Sequence, residues 1–207
     1  MADKQVESSH YAFSRYMDQR RWASIWHQLD EVLSLQPNKV LEIGAGAGIF
    51  KQVASCYGVF VESLDIDPEL EPDHVGSADE LPFPNDEYDV VCAFQMLEHL
   101  PYEISLRAFG EMCRVGRRKV VISLPDALTL WPFSFYLPKF GQVWFFLPRP
   151  ALGRKPHHFD GQHHWEINKK GFSLSRVIGD FQNAGGVRLE KTYRVAQFPY
   201  HRFLVFS

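Results

Sequence analysis

The residues best suited to chemistry are three glycines at alternate positions, Gly44, Gly46 and Gly48, directly after the apolar run 39–43. Glycine adopts positive φ angles easily and has no Cβ to block a ligand that approaches the backbone. The residues from Ile49 onwards predict a helix, whose free N–H groups would point into the turn. A strand, a glycine turn and a helix in this order are typical of a cradle for a nucleotide-like cofactor.

A carboxylate follows at a spacing that suits the ribose of such a cofactor. The run 59–64 predicts a second strand, which ends at Asp65. A carboxylate roughly twenty residues after the first glycine accepts hydrogen bonds from both ribose hydroxyls. A dinucleotide fingerprint also needs a third glycine three positions after the second, where this chain has Ile49. The pattern therefore argues against a bound pyrophosphate.

Two later segments complete a family pattern. Residues 81–84 (LPFP) precede the apolar run 88–94, which leads into residues 95–100 (QMLEHL). In this order and spacing, from about Leu35 to Asp126, the chain resembles class I S-adenosylmethionine (SAM)-dependent methyltransferases of the small-molecule, type 11-like kind. The resemblance implies a Rossmann-like α/β fold, with a seven-stranded, mostly parallel sheet, helices on both faces and the last strand antiparallel. It also implies SAM as the cofactor.

The resemblance assigns cofactor contacts to the ends of the predicted strands. Glu42 is placed near the methionine ammonium, with capping of the turn as the alternative. Asp65 would bind the ribose, Ile66 would pack on the adenine, and Asp67 is expected to cap the turn begun by Pro68. The predicted cofactor-binding residues are Glu42, Gly44, Ala45, Gly46, Gly48, Asp65, Ile66, Ser77, Ala78 and Gln95.

Two positions depart from the family pattern. Ser77 stands where the family commonly has an aspartate that accepts a bond from the adenine amino group. Its hydroxyl, a water, the Ala78 backbone or Asp79 would have to serve instead. Gln95 replaces the first glutamate of the Glu-x-x-Glu-His sequence with which ubiquinone-pathway O-methyltransferases hold a divalent metal. A neutral amide is a poorer ligand for a hard cation, so no metal is predicted and Gln95 is expected to line the methionine end of the cofactor.

Histidines supply the candidate catalytic groups. His99 follows the fourth strand, at the sheet edge where ligands bind, and would act either as a general base or as a backbone partner at a helix start. Four more histidines surround Asp160 in residues 157–164. Imidazole titrates near neutrality and suits a base or a metal ligand. In the enzymes that the chain resembles, a histidine-containing segment here lines the substrate entrance, so at least one of His163 and His164 is expected to contact the acceptor, with a zinc site as the alternative. These groups slightly favour methylation of oxygen over nitrogen or carbon.

Residues 127–160 form an aromatic and histidine-rich insertion after the fifth strand. Prolines interrupt the aromatic residues, and we find no helical or strand period there. Long insertions in compact domains are usually functional, so we predict a lid over an apolar or aromatic acceptor. Two alternatives stay open. One is a peripheral membrane contact through 128–150, since interfacial segments favour Trp and Phe with flanking basic residues; the other is core or dimer packing.

Strands and helices alternate along the rest of the chain, which predicts a parallel sheet with crossover helices. Strands are expected near 39–43, 60–65, 74–77, 88–94, 119–124, 187–195 and 201–207, and helices over 10–35, 49–54, 101–115 and 171–185. Residues 1–207 are predicted to form one domain, with 1–36 as an N-terminal helical cap.

Composition limits the functional classes. A chain of 207 residues with 45% hydrophobic content suits one α/β domain. Its formal net charge of -3 argues against nucleic acid as a partner. The three cysteines lack C-x-x-C spacing, which favours reduced thiols. With no signal segment or long apolar run, a cytoplasmic location is expected. The expected acceptor is a small molecule or a lipid- or sugar-linked intermediate, and the oligomeric state is open.

Two rivals belong to other classes. A non-catalytic SAM-binding module is suggested by the departures at Ser77 and Gln95. A nicotinamide-dependent oxidoreductase shares the fold, but Ile49 and the absence of a Tyr-x-x-x-Lys pair argue against it.

Overall fold

The computed structural model describes residues 13–150, 153–159 and 161–207. Its strands are β1 (Lys39–Ile43), β2 (Phe60–Asp65), β3 (His74–Val75), β4 (Tyr88–Phe94), β5 (Gly116–Pro125), β6 (Leu130–Leu137), β7 (Gly141–Pro148), β8 (Leu189–Arg194) and β9 (His201–Phe206). Its helices are α1 (Phe13–Tyr16), α2 (Gln19–Leu33), α3 (Ile49–Cys56), α4 (Tyr102–Val115) and α5 (Leu174–Gly185).

Seven of the strands form one sheet in the order β3-β2-β1-β4-β5-β9-β8. β9 is antiparallel to both of its neighbours, while the pairs among β1 to β5 are parallel. The predicted Rossmann-like sheet with its antiparallel last strand is therefore confirmed. The chain leaves β1 toward β2 on one side and reaches β4 on the other, so the carboxyl ends of β1 and β4 flank the crevice where such sheets bind ligands.

Apolar residues cover both faces of this sheet. Because successive side chains of a strand point to opposite faces, Phe203 and Val205 of β9 join one core cluster, whereas Leu204 and Phe206 join the other. α2 and α3 pack into the first cluster and α4 and α5 into the second. The predicted helices on both faces are confirmed.

Some boundaries differ from the sequence prediction. The helix expected over 10–35 is interrupted at residues 17 and 18, where the Asp18 carboxylate accepts a hydrogen bond from the Arg21 N–H at 2.7 Å and begins α2. Its predicted start at His10 lies outside the described residues. The helix expected from residue 171 begins only at Leu174, because Ser173 caps it through the Arg176 N–H.

The insertion is more regular than expected. The prediction that no strand period runs through it was wrong, because β6 and β7 form an antiparallel hairpin whose register runs from Leu130 opposite Pro148 to Leu137 opposite Gly141. Both of its faces carry aromatic residues, which hides the alternation that normally marks a strand. Residues 151, 152 and 160 of the predicted insertion lie outside the described part of the chain.

A buried acidic residue joins the two ends of this insertion to the sheet. Asp126, fully buried directly after β5, accepts hydrogen bonds from Arg202 Nε at 2.7 Å and Asn168 Nδ2 at 2.8 Å, and pairs with Arg194. Its backbone also bridges to Ile167, where the chain returns to the sheet after the insertion.

Among the described residues, no helix is long and apolar enough to span a membrane.

Candidate active site

The glycine turn between β1 and α3 has the backbone shape that the sequence predicts. Gly44, Gly46 and Gly48 have φ angles of 73°, 52° and 67°, in the left-handed region where other residues are strained. The Gly44 N–H donates to the Leu64 carbonyl at 2.8 Å and so ties the turn to β2. Gly48 then begins α3. The turn is therefore a fixed concave surface of exposed backbone.

A cavity with about 570 Å³ of empty space, counted to its open mouth, lies over this turn. We call it the cofactor cavity. Of the predicted cofactor residues, it is lined by Glu42, Gly44, Ala45, Gly46 and Gln95. Its opposite wall comes from α2, through Ser24, Ile25 and Gln28, and from His201 of β9. Gly48, Asp65, Ile66, Ser77 and Ala78 do not line this cavity as the structure stands.

Glu42 is an acid at the bottom of the cofactor cavity. Its side chain is buried, and burial raises its pKa to about 8, although a hydrogen bond from the Lys51 backbone N–H opposes the shift. Its Oε2 atom has no hydrogen-bond partner among the described residues. A buried carboxylate without a full set of partners is costly, so a cationic ligand group would be stabilised beside Glu42.

Asp65 ends β2 close to the same turn. Burial raises the pKa of this half-buried carboxyl, while bonds from the backbone N–H groups of Asp67 and Gly46 lower it. The Asp67 N–H lies 3.0 Å from Asp65 Oδ1. Asp67 itself accepts from the Glu69 N–H at 3.0 Å and begins the short helix Pro68–Leu70, which confirms its predicted capping role. Ile66 lies between the two carboxylates.

Ser77 takes part in a hydrogen-bonded chain that the sequence did not indicate. Its hydroxyl donates to Asp79 Oδ1 at 2.5 Å, and Asp79 Oδ2 accepts from Arg107 Nη2 at 2.9 Å. The bond from Ser77 holds the pKa of Asp79 below its usual value. Both carboxylate oxygens of Asp79 therefore already accept hydrogen bonds, whereas the Ser77 oxygen can still accept one. Ala78, the next residue, packs against the core.

Gln95 follows β4 in a strained conformation. Its φ of 53° is unusual for a residue with a side chain. The backbone N–H donates to the Ser123 carbonyl at 2.9 Å, and the amide Nε2 donates to the Ser123 hydroxyl at 3.2 Å. Both bonds turn Gln95 toward β5, where its side chain forms part of the wall of the cofactor cavity.

Two of the three predicted catalytic histidines meet at the same end of the sheet. The ring centroids of His99 and His163 are 5.1 Å apart. His99 Nδ1 lies 3.0 Å from the Gln162 carbonyl oxygen, and His163 Nδ1 lies 3.0 Å from Glu166 Oε1. His164 does not join this pair, since its ring stacks on Phe159 with the centroids 4.5 Å apart.

Three neighbours of this pair were not predicted as site residues. Glu98 is fully buried, and neither of its carboxylate oxygens has a hydrogen-bond partner in the described ranges. Glu166 accepts from His163 and from the Tyr200 hydroxyl, the latter at 2.7 Å. The only sequence signal was the place of Glu98 next to His99 in the metal-binding pattern; nothing marked Glu166 or Tyr200.

The histidine pair lies near one wall of the cofactor cavity, since the charge of His163 acts on the wall residue His201. Tyr200, whose hydroxyl reaches Glu166, directly precedes His201 in the cavity wall. His201 Nδ1 lies 2.8 Å from the Ser24 hydroxyl, and burial lowers its pKa to about 3. His201 is therefore a neutral wall residue, and the histidine pair lies just beyond it. The arrangement presents the open cavity over the glycine turn on one side and ionisable groups on the other.

Comparisons with known proteins agree with this geometry. The family model described as Methyltransferase domain matches residues 13–172. Solved structures with the same fold include the PH0226 protein of Pyrococcus horikoshii OT3 (17% identity, 98% of this chain and 99% of that chain, TM-score 0.60). Magnesium protoporphyrin IX methyltransferase of Synechocystis PCC 6803, solved with bound SAH, is 13% identical (90% and 83%, TM-score 0.59).

A third similar structure is 1,6-didemethyltoxoflavin-N1-methyltransferase of Burkholderia thailandensis, solved with 1,6-didemethyltoxoflavin and S-adenosylhomocysteine. It is 13% identical, with 96% of this chain and 83% of that chain covered and a TM-score of 0.60. No curated protein matches the sequence. Because the family model spans more than half of the chain, the protein belongs to the methyltransferase-domain family, and with it to the class I SAM-dependent methyltransferases that its sequence resembles.

Proposed function

We propose that this methyltransferase transfers the methyl group of SAM to a small molecule whose reactive atom lies between the cofactor cavity and the His99–His163 pair. The observation that carries the proposal is the cofactor cavity itself, which combines a glycine turn with the buried acid Glu42. The proposal treats residues 1–207 as one catalytic domain, in which the predicted N-terminal cap supplies α2 as the cavity's opposite wall.

Each part of the cofactor has a matching group. The methionine ammonium would lie beside Glu42, whose Oε2 lacks a partner in the described structure. The ribose hydroxyls would donate to Asp65, and the adenine amino group to the Ser77 oxygen, whose own proton is donated to Asp79. Gly44, Gly46 and Gly48 let the backbone approach the cofactor closely. Gln95 is held by Ser123 at the methionine end.

Methyl transfer needs alignment and a dry site more than covalent help. An oxygen acceptor must also lose its proton, and His99 and His163 are the ionisable groups best placed to assist. This supports O-methylation over transfer to nitrogen or carbon. Support for a small acceptor comes from the similar structures, whose names specify magnesium protoporphyrin IX and 1,6-didemethyltoxoflavin.

The hairpin β6–β7 suggests that the acceptor has an apolar part. One of its faces presents only apolar side chains, and its strands follow β5, whose carboxyl end lies at the cofactor edge of the sheet. That face consists of Trp131, Phe133, Phe135, Leu137, Val143, Phe145 and Leu147. We propose that the hairpin acts as the lid expected for residues 127–160, with its aromatic face against the acceptor.

A second role for the hairpin follows from its charge. Residues 127–159 contain four lysines and arginines and no acidic residue, although the whole chain has a net charge of -3. Exposed aromatic and basic groups together favour the interface of an anionic lipid bilayer. A lipid-borne acceptor would then be presented to the site through 128–150.

Calorimetric titration tests the core of the proposal. The purified protein is titrated with SAM, with S-adenosylhomocysteine and with NAD as the control. We expect micromolar binding of both sulfur compounds and none of NAD. Transfer of labelled methyl groups from SAM to a panel of hydroxylated aromatic compounds, amines and lipids then identifies the acceptor. Failure of SAM and S-adenosylhomocysteine to bind would overturn the proposal, and binding without transfer to any acceptor would favour the non-catalytic alternative.

A further inference from the structure

We propose that Glu98, His99 and His163 form a divalent-metal site beside the cofactor cavity. One ligand atom from each residue lies within 4.8 Å of the other two. Glu98 and His99 belong to the short helix Leu97–His99 after β4, whereas His163 comes from the segment that follows the hairpin. The donor set therefore exists only in the folded chain.

The unpartnered acid is the first argument for a cation. Glu98 has no exposed surface, and both of its carboxylate oxygens lack hydrogen-bond partners among the described residues. Burying an acid without partners costs several times what a satisfied hydrogen bond contributes. A cation between Glu98 and the two imidazoles would satisfy these oxygens.

The orientation of the two imidazoles is the second argument. The Gln162 carbonyl and the Glu166 carboxylate are acceptors, so the Nδ1 atoms of His99 and His163 carry the protons in these contacts. In the neutral rings Nε2 is then the unprotonated nitrogen, which is the form that binds a metal. Metal-binding histidines are commonly held in this way, with the other ring nitrogen bonded to a carbonyl or carboxylate.

Backbone contacts hold the donors in place before any metal binds. The His164 N–H donates to the Glu98 carbonyl at 2.8 Å, which joins the segment containing His163 to the short helix. His157 Nε2 contacts the His163 carbonyl oxygen at 2.7 Å. The Tyr200 hydroxyl fixes Glu166. Ligand atoms around a bound metal lie somewhat closer together than 4.8 Å, so only a small closure of the three side chains is needed.

The donor set indicates the class of metal. Two imidazole nitrogens and one carboxylate oxygen suit Zn²⁺, Mn²⁺ or Fe²⁺ and leave coordination positions open. Gln95, which the sequence comparison places at the first ligand position, instead bonds to Ser123. His163 supplies the third donor, and the motif gave no sign of it. The proposed site therefore departs from the sequence-based expectation that no metal is bound.

The metal site would also take part in the proposed methyl transfer, and this part of the inference rests on the proposed function. An acceptor hydroxyl in an open coordination position would have a lowered pKa and would release its proton to solvent before methyl transfer. The acceptor oxygen forms its bond to the methyl carbon as the carbon–sulfur bond of SAM breaks, and the electron pair stays on sulfur. S-adenosylhomocysteine and the methylated acceptor are the products.

The test measures metal binding without turnover. The metal-stripped protein is titrated with Zn²⁺ and with Mn²⁺, and the bound metal is counted by elemental analysis after gel filtration. We expect one equivalent of at least one of them. Glu98→Gln, His99→Ala and His163→Ala should each weaken binding at least tenfold. His158→Ala, which alters an exposed histidine of the same segment, should bind as the parent protein does.

A positioning variant and a folding control complete the experiment. Glu166→Gln should weaken metal binding about 10- to 100-fold, because it removes the carboxylate that orients His163. SAM titration of the same metal-stripped samples reports whether the fold is intact. Retained SAM binding without saturable metal binding, or with equal metal binding in all variants, would overturn the metal site alone. Loss of SAM binding by the parent protein would count against the proposed function instead.

Discussion

The side chain of Met96 lies against the backbone of Gly44. A Cβ atom at residue 44 would stand 2.3 Å from Met96 Cγ and 2.9 Å from its Cβ. The contact joins the turn after β1 to the chain just after β4, the two strands that flank the ligand crevice. A glycine is thus needed at position 44 for two reasons: the backbone there has a φ of 73°, and Met96 occupies the space that a Cβ would need.

Gly44→Ala should be more damaging than an alanine at a glycine with a similar backbone but open surroundings. Left-handed alanine costs about 1–2 kcal/mol, and the overlap with Met96 adds about 1–3 kcal/mol. Gly58 is the matched control, because its φ is 80° and a Cβ added there would meet no described atom within 4 Å. Urea unfolding should show the larger loss for Gly44→Ala; equal losses would mean that Met96 moves aside freely.

Asp65→Ala should weaken SAM binding by about 1.5–3 kcal/mol, the range for losing charge-assisted hydrogen bonds. Calorimetry gives the dissociation constant directly. Asp67→Asn is the control, because asparagine also caps a helix start and Asp67 binds the Glu69 N–H. An unchanged affinity in Asp65→Ala would show that another carboxylate holds the ribose.

Glu42 should release a proton when SAM binds. Its pKa is raised to about 8 by burial, so the unfolded chain loses this proton at lower pH than the folded one. The free protein should therefore lose stability through this group as the pH rises from about 5 to 8. At pH 6.5 the ligand's α-amino group is still charged, and that ammonium would favour the ionised carboxylate.

Calorimetry in buffers of different ionisation enthalpy measures this release at pH 6.5. We expect close to one proton for the parent protein and a much smaller number for Glu42→Gln, with weaker binding in the variant. The same release in both proteins would place the ammonium elsewhere. At pH 9 the parent protein should release almost none, since Glu42 is already ionised there.

The aromatic face of the hairpin should control contact with lipid. Phe133 and Phe145 stack at 5.2 Å between ring centroids, and both are well exposed. Replacing both by serine should reduce flotation with vesicles of phosphatidylglycerol several-fold, because apolar burial at the interface is lost. Vesicles of phosphatidylcholine alone should bind the parent protein weakly.

The control for the vesicle experiment separates charge from apolar contact. Lys139→Glu, at the hairpin turn, should weaken binding to the anionic vesicles and leave the weak binding to neutral ones unchanged. If the parent protein binds neither kind of vesicle while the double serine variant loses methyl transfer, the hairpin serves as a lid and not as a membrane contact.

The parallel strands were the most predictable part of the fold. β1, β2 and β4 begin and end at the predicted residues, because turn residues bound each strand and the runs of β1 and β4 are largely apolar. The hairpin was missed for the opposite reason, since Pro132, Trp144 and Phe146 place large apolar groups on its second face, among polar ones such as Ser134 and Gln142. Periodicity alone does not reveal a strand that carries aromatic residues on both faces.

Site residues were predictable where their position depends only on the neighbouring sequence. The glycine turn and Asp65 lie at strand ends and could be placed from spacing, whereas Gln95 was placed by the family resemblance. The meeting of His99 with His163 depends on how the chain returns after the hairpin. The orientation of each ring depends on Gln162 and Glu166, which carry no pattern of their own. His164 has the same residue type as His163, but its ring stacks on Phe159 instead.

The bridge between Asp126 and Ile167 makes the hairpin structurally independent of the sheet. Both ends of the intervening segment are fixed by the same buried acid, together with Arg202 and Asn168. The segment between Asp126 and Ile167 can therefore change in length and sequence without shifting the register of β5. The proposed lid should therefore be exchangeable, and grafting it onto a related enzyme of this fold should transfer acceptor preference while the cofactor-binding residues stay in place.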